Sequence, residues 1–109
     1  MSDLHSQIER ELEQARRARA EGNEGRARVC ARRAAGLATR AYYERRGESK
    51  ATSNAYDLLR FLAEDEQVDD ETRSRAYRLT LRVTAEFKLP IESDLIQDAE
   101  WLIARLLGR

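Results

Sequence analysis

The sequence predicts an all-α domain, an up-and-down bundle of four to five antiparallel helices. Three observations carry that prediction. Residues 22–46, GNEGRARVCARRAAGLATRAYYERR, place Ala27, Cys30, Ala34, Leu37, Ala38 and Ala41 on one stripe at three- and four-residue spacing, the period of a helix with one buried face. Punctuation is sparse, with one proline and five glycines in 109 residues. No β-rich alternating stretch occurs. Ala31, Ala35 and Gly36 widen the small-residue surface of the long central segment. Neighbouring backbones can therefore approach it from more than one side, which predicts a central pillar.

Each element follows from its own residues. Helix one is predicted over 3–21, where Leu4, Ile8, Leu12 and Ala15 form the stripe, Ser2 or Asp3 caps the start and Gly22 ends it. Asn23 is a good N-cap for helix two, which runs to Arg46. Gly47 stops it by accepting a left-handed conformation that a Cβ penalises. After the polar loop 48–53, helix three is predicted over 54–65 with Ala55, Leu58, Leu59 and Leu62 inward. The acidic turn EDEQVDD leads to Asp69 or Asp70 as the next cap, where a carboxylate also suits the positive helix end. Helix four is predicted over 70–87, burying Ala76, Leu79, Val83 and Phe87, and Pro90 blocks its continuation. Ser93 or Asp94 caps helix five over 94–107, with the stripe Leu95, Ala99, Leu102 and Leu106 flanked by Ile96, Ile103 and Leu107. Short loops between such helices favour antiparallel neighbours.

Composition narrows the function classes. By size, residues 1–109 form a single domain, long enough to bury about two thirds of its unfolded surface without a disulfide or metal. Twenty basic and 20 acidic residues cancel, which argues against a protein that coats DNA through a basic surplus. No apolar run approaches the roughly 18 residues of a membrane span. The charged N-terminus MSDLHSQIERELEQ has no signal-peptide apolar core. With a single cysteine, these features fit a cytoplasmic setting.

The chemistry-bearing residues are few. His5 and Cys30 stand on different helices without metal-ligand spacing, so no metal and no cofactor is expected. Cys30 reads as a packed apolar residue and His5 as a solvated one. The glycines of GNEG lack the preceding strand and the following Lys-Ser/Thr of a phosphate loop. Arginines are abundant. Arg26, Arg28, Arg32, Arg33 and Arg40 are placed on the outward side of helix two, and Arg73, Arg75, Arg78 and Arg82 run along helix four. Arg78 and Arg82, four residues apart, share a face and could grip a phosphate; the plainer alternative pairs them with Glu86 and neighbouring acids on a solvated face, worth about 0–1 kcal/mol per pair. Tyr43 and Trp101 are the candidate interface residues, because aromatic side chains anchor many interfaces. For both, burial at the edge of the core is the competing reading.

Over Leu12 to Leu107 the order of elements resembles the HEPN family of helical domains. ELEQARRARAEGNEGRARVCARRAAGLATRAYYERRG resembles the family's paired-helix start with an alanine-rich second helix and a glycine. NAYDLLRFLAE resembles its short third helix, and LTLRVTAEFKLPIESDLIQDAEWLIARLL its closing helix, proline-containing loop and final helix. The resemblance implies a four- or five-helix bundle that often dimerises. It implies one of two roles: a ribonuclease, toxins included, with an R-x(4–6)-H motif on the fourth helix, or a catalytically silent partner of a nucleotidyltransferase that binds nucleotides or RNA. Arg82 best matches the motif arginine, but Phe87, Lys88 and Leu89 stand where the histidine belongs. The expectation is therefore a non-catalytic HEPN-like accessory or nucleotide/RNA-binding homodimer, with Arg78 and Arg82 as phosphate contacts. The alternatives are a degenerate ribonuclease using Arg82 with Glu86 or a tyrosine, and a structural interaction module whose groove takes a helix through Trp101 and Tyr43.

Overall fold

A computed structural model describes residues 3–48, 50, 52–81 and 94–108. Among them are five helices and no strand: α1 (Leu4–Ala20), α2 (Glu24–Arg45), α3 (Ala55–Ala63), α4 (Asp70–Thr80) and α5 (Leu95–Leu107).

The turn between α1 and α2 is built by two residues. Gly22 adopts φ 80°, and the backbone N–H of Asn23 reaches back to the Ala18 carbonyl at 2.7 Å while that of Gly22 bonds to Arg19. These are the two bonds of a Schellman closure. The Asn23 side chain then accepts from the Arg26 N–H at 3.0 Å, so one asparagine ends α1 and starts α2. Gly47, at φ 73°, closes α2 in the same way, with the Glu48 N–H on the Tyr43 carbonyl at 2.8 Å. Asp3, Asn54 and Asp94 cap α1, α3 and α5 through their side chains, as their residue types favour. Asp69 precedes α4 but makes no such bond to a backbone N–H. Its carboxylate accepts the Thr72 hydroxyl instead.

Helix α2 is the pillar. It packs against all four other helices, and its small residues Ala27, Cys30, Ala31, Ala34, Ala35 and Ala38 are fully buried. The closest approach is at Gly36, where a Cβ would lie 2.5 Å from the Cβ and 2.9 Å from the Cα of Ala55. The first residue of α3 therefore rests directly on the α2 backbone. Around α2 the neighbours run α1, α5, α4, α3, each touching the next. No contact joins α3 back to α1, so among the described residues the ring is open on one side. Ile8, Leu12, Leu59, Leu62, Leu79, Leu95 and Leu102 fill the core between pillar and ring.

Two boundaries differ from expectation. Helix α3 ends at Ala63, two residues earlier than predicted. Helix α4 ends at Thr80, where Leu81 turns extended (φ −70°, ψ 140°). The reason lies on another helix: the Arg32 guanidinium of α2 donates to the carbonyls of Leu79 at 2.7 Å and Leu81 at 3.3 Å. A cation there satisfies carbonyls left without an intrahelical donor and suits the negative helix end. Val83, Glu86, Phe87 and Pro90, singled out above, lie outside the described residues.

Candidate functional site

Arg78 and Trp101 come together at the junction of α4 and α5, around a residue the periodic reading passed over. Asp98 interrupts the apolar stripe of α5, and its side chain is 4% exposed. Arg78 grips it with two nitrogens, Nε to Oδ2 and Nη2 to Oδ1, both at 3.2 Å. Arg75 adds a third bond, Nη1 to Oδ1 at 3.2 Å. The remaining Arg78 nitrogen donates to the Ser74 hydroxyl at 3.1 Å. The Arg75 guanidinium also donates to Glu71 at 2.7 Å and lies 5.1 Å from the centre of the Trp101 ring. Its bond to Glu71 and the charge of Asp98 raise its pKa above the ordinary arginine value.

Of the two readings offered for Arg78, a phosphate contact or pairing with acids, the described residues show an acid partner. Each of its three nitrogens serves an acceptor of its own chain, and the acceptor of two of the bonds is a buried aspartate on α5; Glu86 lies outside the described residues. Its job here is to tie α4 to α5. Arg82 lies outside the described residues. Trp101 is half-buried against the core, with Arg75 over its ring.

Tyr43, the other expected interface residue, is inside the domain at 2% exposure. Its hydroxyl donates to Asp65 Oδ2 at 2.8 Å, its ring meets Tyr42 edge-on at 5.2 Å, and the Lys50 ammonium sits 4.5 Å above it. Burial, and then the Asp65 carboxylate, push the phenol pKa up. Burial would raise Asp65 as well, but the Gln67 N–H, the Tyr43 hydroxyl, Arg46 and Lys50 outweigh it and hold the carboxyl below its ordinary value. Tyr43 fixes the end of α2 to the α3–α4 turn and offers no open ring to a partner. Cys30 is buried as expected, and His5 is exposed in the first turn of α1.

One surface depression lies on the side of α2 that the other described helices leave uncovered. A groove of about 420 Å³ runs along α2 between α1 and the start of α3. Val29, Gly36, Leu37, Ala55 and Leu58 line its floor, Arg33, Arg40 and Tyr56 its basic and aromatic side, and Glu11 its α1 edge. Val29 is 40% exposed, unusual for a β-branched apolar residue on the central helix. Leu37, placed on the buried stripe by its spacing, is only half-buried because it faces this groove. The five outward arginines of α2 thus have different roles. Arg32 caps α4, and Arg40 pairs with Glu44 at 3.0 Å. Arg33 makes no hydrogen bond or ion pair among the described residues.

Among the described residues no group of three or more His, Cys, Asp or Glu side chains is placed to hold a metal, and no helix is long and apolar enough to cross a membrane. Comparison of the chain with protein-family models, with curated proteins and with solved structures gives no match.

Proposed function

We propose that this chain is a non-catalytic, HEPN-like binding or accessory protein that receives its partner on the uncovered side of α2. The observation that carries the reading is the groove in which Arg33, without an ion pair among the described residues, and half-engaged Arg40 stand beside the exposed Val29 and the half-buried Leu37. A surface joining apolar floor to cationic rim is what recognition of an amphipathic or anionic partner requires. The knot at Asp98 supports the same reading from the other side. It commits Arg75 and Arg78 to holding α4 and α5 together, which leaves them poorly disposed to leave that site for a substrate phosphate.

In this reading the protein works as a homodimer beside a nucleotidyltransferase or an RNA- or nucleotide-handling partner, in the cytoplasm. Light scattering of the purified chain, with pull-down of genomically neighbouring gene products, tests it. A strictly monomeric protein that retains no partner, nucleotide or RNA would overturn it. RNA cleavage that disappears in Arg82→Ala would replace it by the degenerate-ribonuclease reading.

A further inference from the structure

We infer that the groove on α2 receives an acidic amphipathic helix of a partner protein, one whose apolar stripe lies on Val29 and Leu37 and whose carboxylates meet Arg33 and Arg40. The inference rests on the binding-module reading above and names the chemistry of its partner.

Geometry favours a helix. Among the described residues four helices surround α2 in a chain of contacts that fails only between α3 and α1. An added helix on that open side would continue the ring, at the 8–10 Å spacing common to packed helices. Arg33 and Arg40 are seven residues apart, about 10.5 Å along the axis, the spacing of carboxylates at i and i+7 on a facing helix. Val29 and Leu37 lie about 12 Å apart on the same face, matching apolar anchors two turns apart on a helix laid in a groove. At Gly36 the α3 side of the groove closes, because Ala55 occupies the place a Cβ would take.

Charge favours a carboxylate partner over a polyanion. Arg33 forms no ion pair among the described residues, so a partner's Asp or Glu would complete a bidentate pair. Arg40 already shares its charge with Glu44, and Glu11 stands on the opposite edge. The chain as a whole is neutral. A nucleic-acid backbone, which gains affinity by placing many phosphates on a basic surplus, would meet Arg33, an Arg40 shared with Glu44, an Arg32 turned to the Leu79 and Leu81 carbonyls, and an acid at Glu11.

The test is a display selection on the full chain, using a library of helical peptides of about 20 residues, a length of about 30 Å, with rim positions randomised. Selected peptides should carry Asp or Glu at seven-residue spacing beside an i, i+4, i+7 apolar stripe. They should bind Arg33→Glu about tenfold or more weakly, as loss of a charged bidentate pair requires, and Val29→Gln more weakly too. Arg33→Lys should recover part of the affinity. Both positions are surface side chains, and far-UV circular dichroism of each variant checks that the helices persist. Peptides without acid enrichment, peptides enriched in Lys or Arg, or affinities indifferent to Arg33→Glu would overturn the proposal. So would a homodimer that Arg33→Glu dissociates, since the groove would then hold a second copy. An oligoadenylate RNA run in parallel separates the two levels of the reading. RNA binding abolished by Arg33→Glu, without peptide binding, would overturn the helix partner and leave the binding module standing. Binding of neither probe would count against both.

Discussion

Replacing Asp98 by alanine should be among the most damaging single changes in this protein. The carboxylate is 4% exposed and accepts three bonds at 3.2 Å from two guanidiniums. Removing one member of a buried ion pair commonly costs about 3–5 kcal/mol, because the partner's charge stays desolvated. Here Arg75 and Arg78 are 20% and 25% exposed, and Arg75 keeps Glu71. Both recover some hydration, which places the expected loss at the lower end, about 3 kcal/mol. For a domain of this size that corresponds to a fall in Tm of roughly 12–20 °C. Urea unfolding followed by circular dichroism measures it, and the midpoint should fall with little change in slope, since the unfolded surface is unchanged. The loss should persist in high salt, because a shielded pair is weakly screened. A double variant, Asp98→Ala with Arg78→Ala, should lose less than the sum of the two single changes, because the second substitution removes a charge already without its partner. An Asp98→Ala protein within about 0.5 kcal/mol of the parent, the range of ordinary surface changes, would refute the view that this knot holds α4 to α5.

Three further outcomes follow from named contacts. Gly36→Ala should destabilise by about 1–2 kcal/mol despite the better helix propensity of alanine, because the new Cβ would press on the Ala55 backbone at 2.9 Å, and thermal melts should show Ala55→Gly restoring only part of the loss. Arg32→Met should uncap α4 at a cost of about 1–2 kcal/mol, seen by hydrogen exchange as lost protection in its last turn while α1 and the start of α2 keep theirs. Tyr43→Phe removes a hydroxyl bond to Asp65 and should cost about 1 kcal/mol near neutrality. Because Asp65 is held below its ordinary pKa in the fold, its contribution is complete above about pH 4 and fades as pH falls through the folded value. Unfolding curves of Tyr43→Phe and the parent should therefore converge towards low pH, and an equal gap at pH 7 and pH 3 would contradict that coupling.

Much of the fold was legible in the sequence because its signals are local. Gly22 and Gly47 mark left-handed positions, Asn23, Asn54 and Asp94 mark caps, and the small-residue stripe of α2 marks a pillar. Each depends on neighbours a few residues away. Several of the differences from expectation involve a partner far along the chain. Helix α4 stops at Thr80 because its carbonyls are taken by Arg32, 47 residues earlier than the first of them. Periodicity alone gave no reason to stop there. For Arg78 the sequence offers a phosphate contact or pairing with Glu86 and neighbouring acids, because the acid it does bind, Asp98, stands on another helix, 20 residues on. A signal was available in Asp98 itself, an acid three residues after Leu95 and four before Leu102, squarely on the apolar stripe. Tyr43 read as an interface aromatic because Asp65, the acceptor that lets its hydroxyl be buried, lies beyond α3. The groove was hidden for a related reason. Val29 and Leu37 fit a helical stripe whether or not a helix covers them, and only the ring of neighbours shows which arc of α2 is left open.

The reading of α2 as the receiving surface is tested most directly by amide chemical shifts of the labelled full chain, titrated with a selected acidic peptide. Shifts should move at residues 29–40 and at the start of α3, and stay still around Arg75, Arg78 and Trp101. Movement centred on the Asp98 knot, with residues 29–40 unmoved, would contradict it.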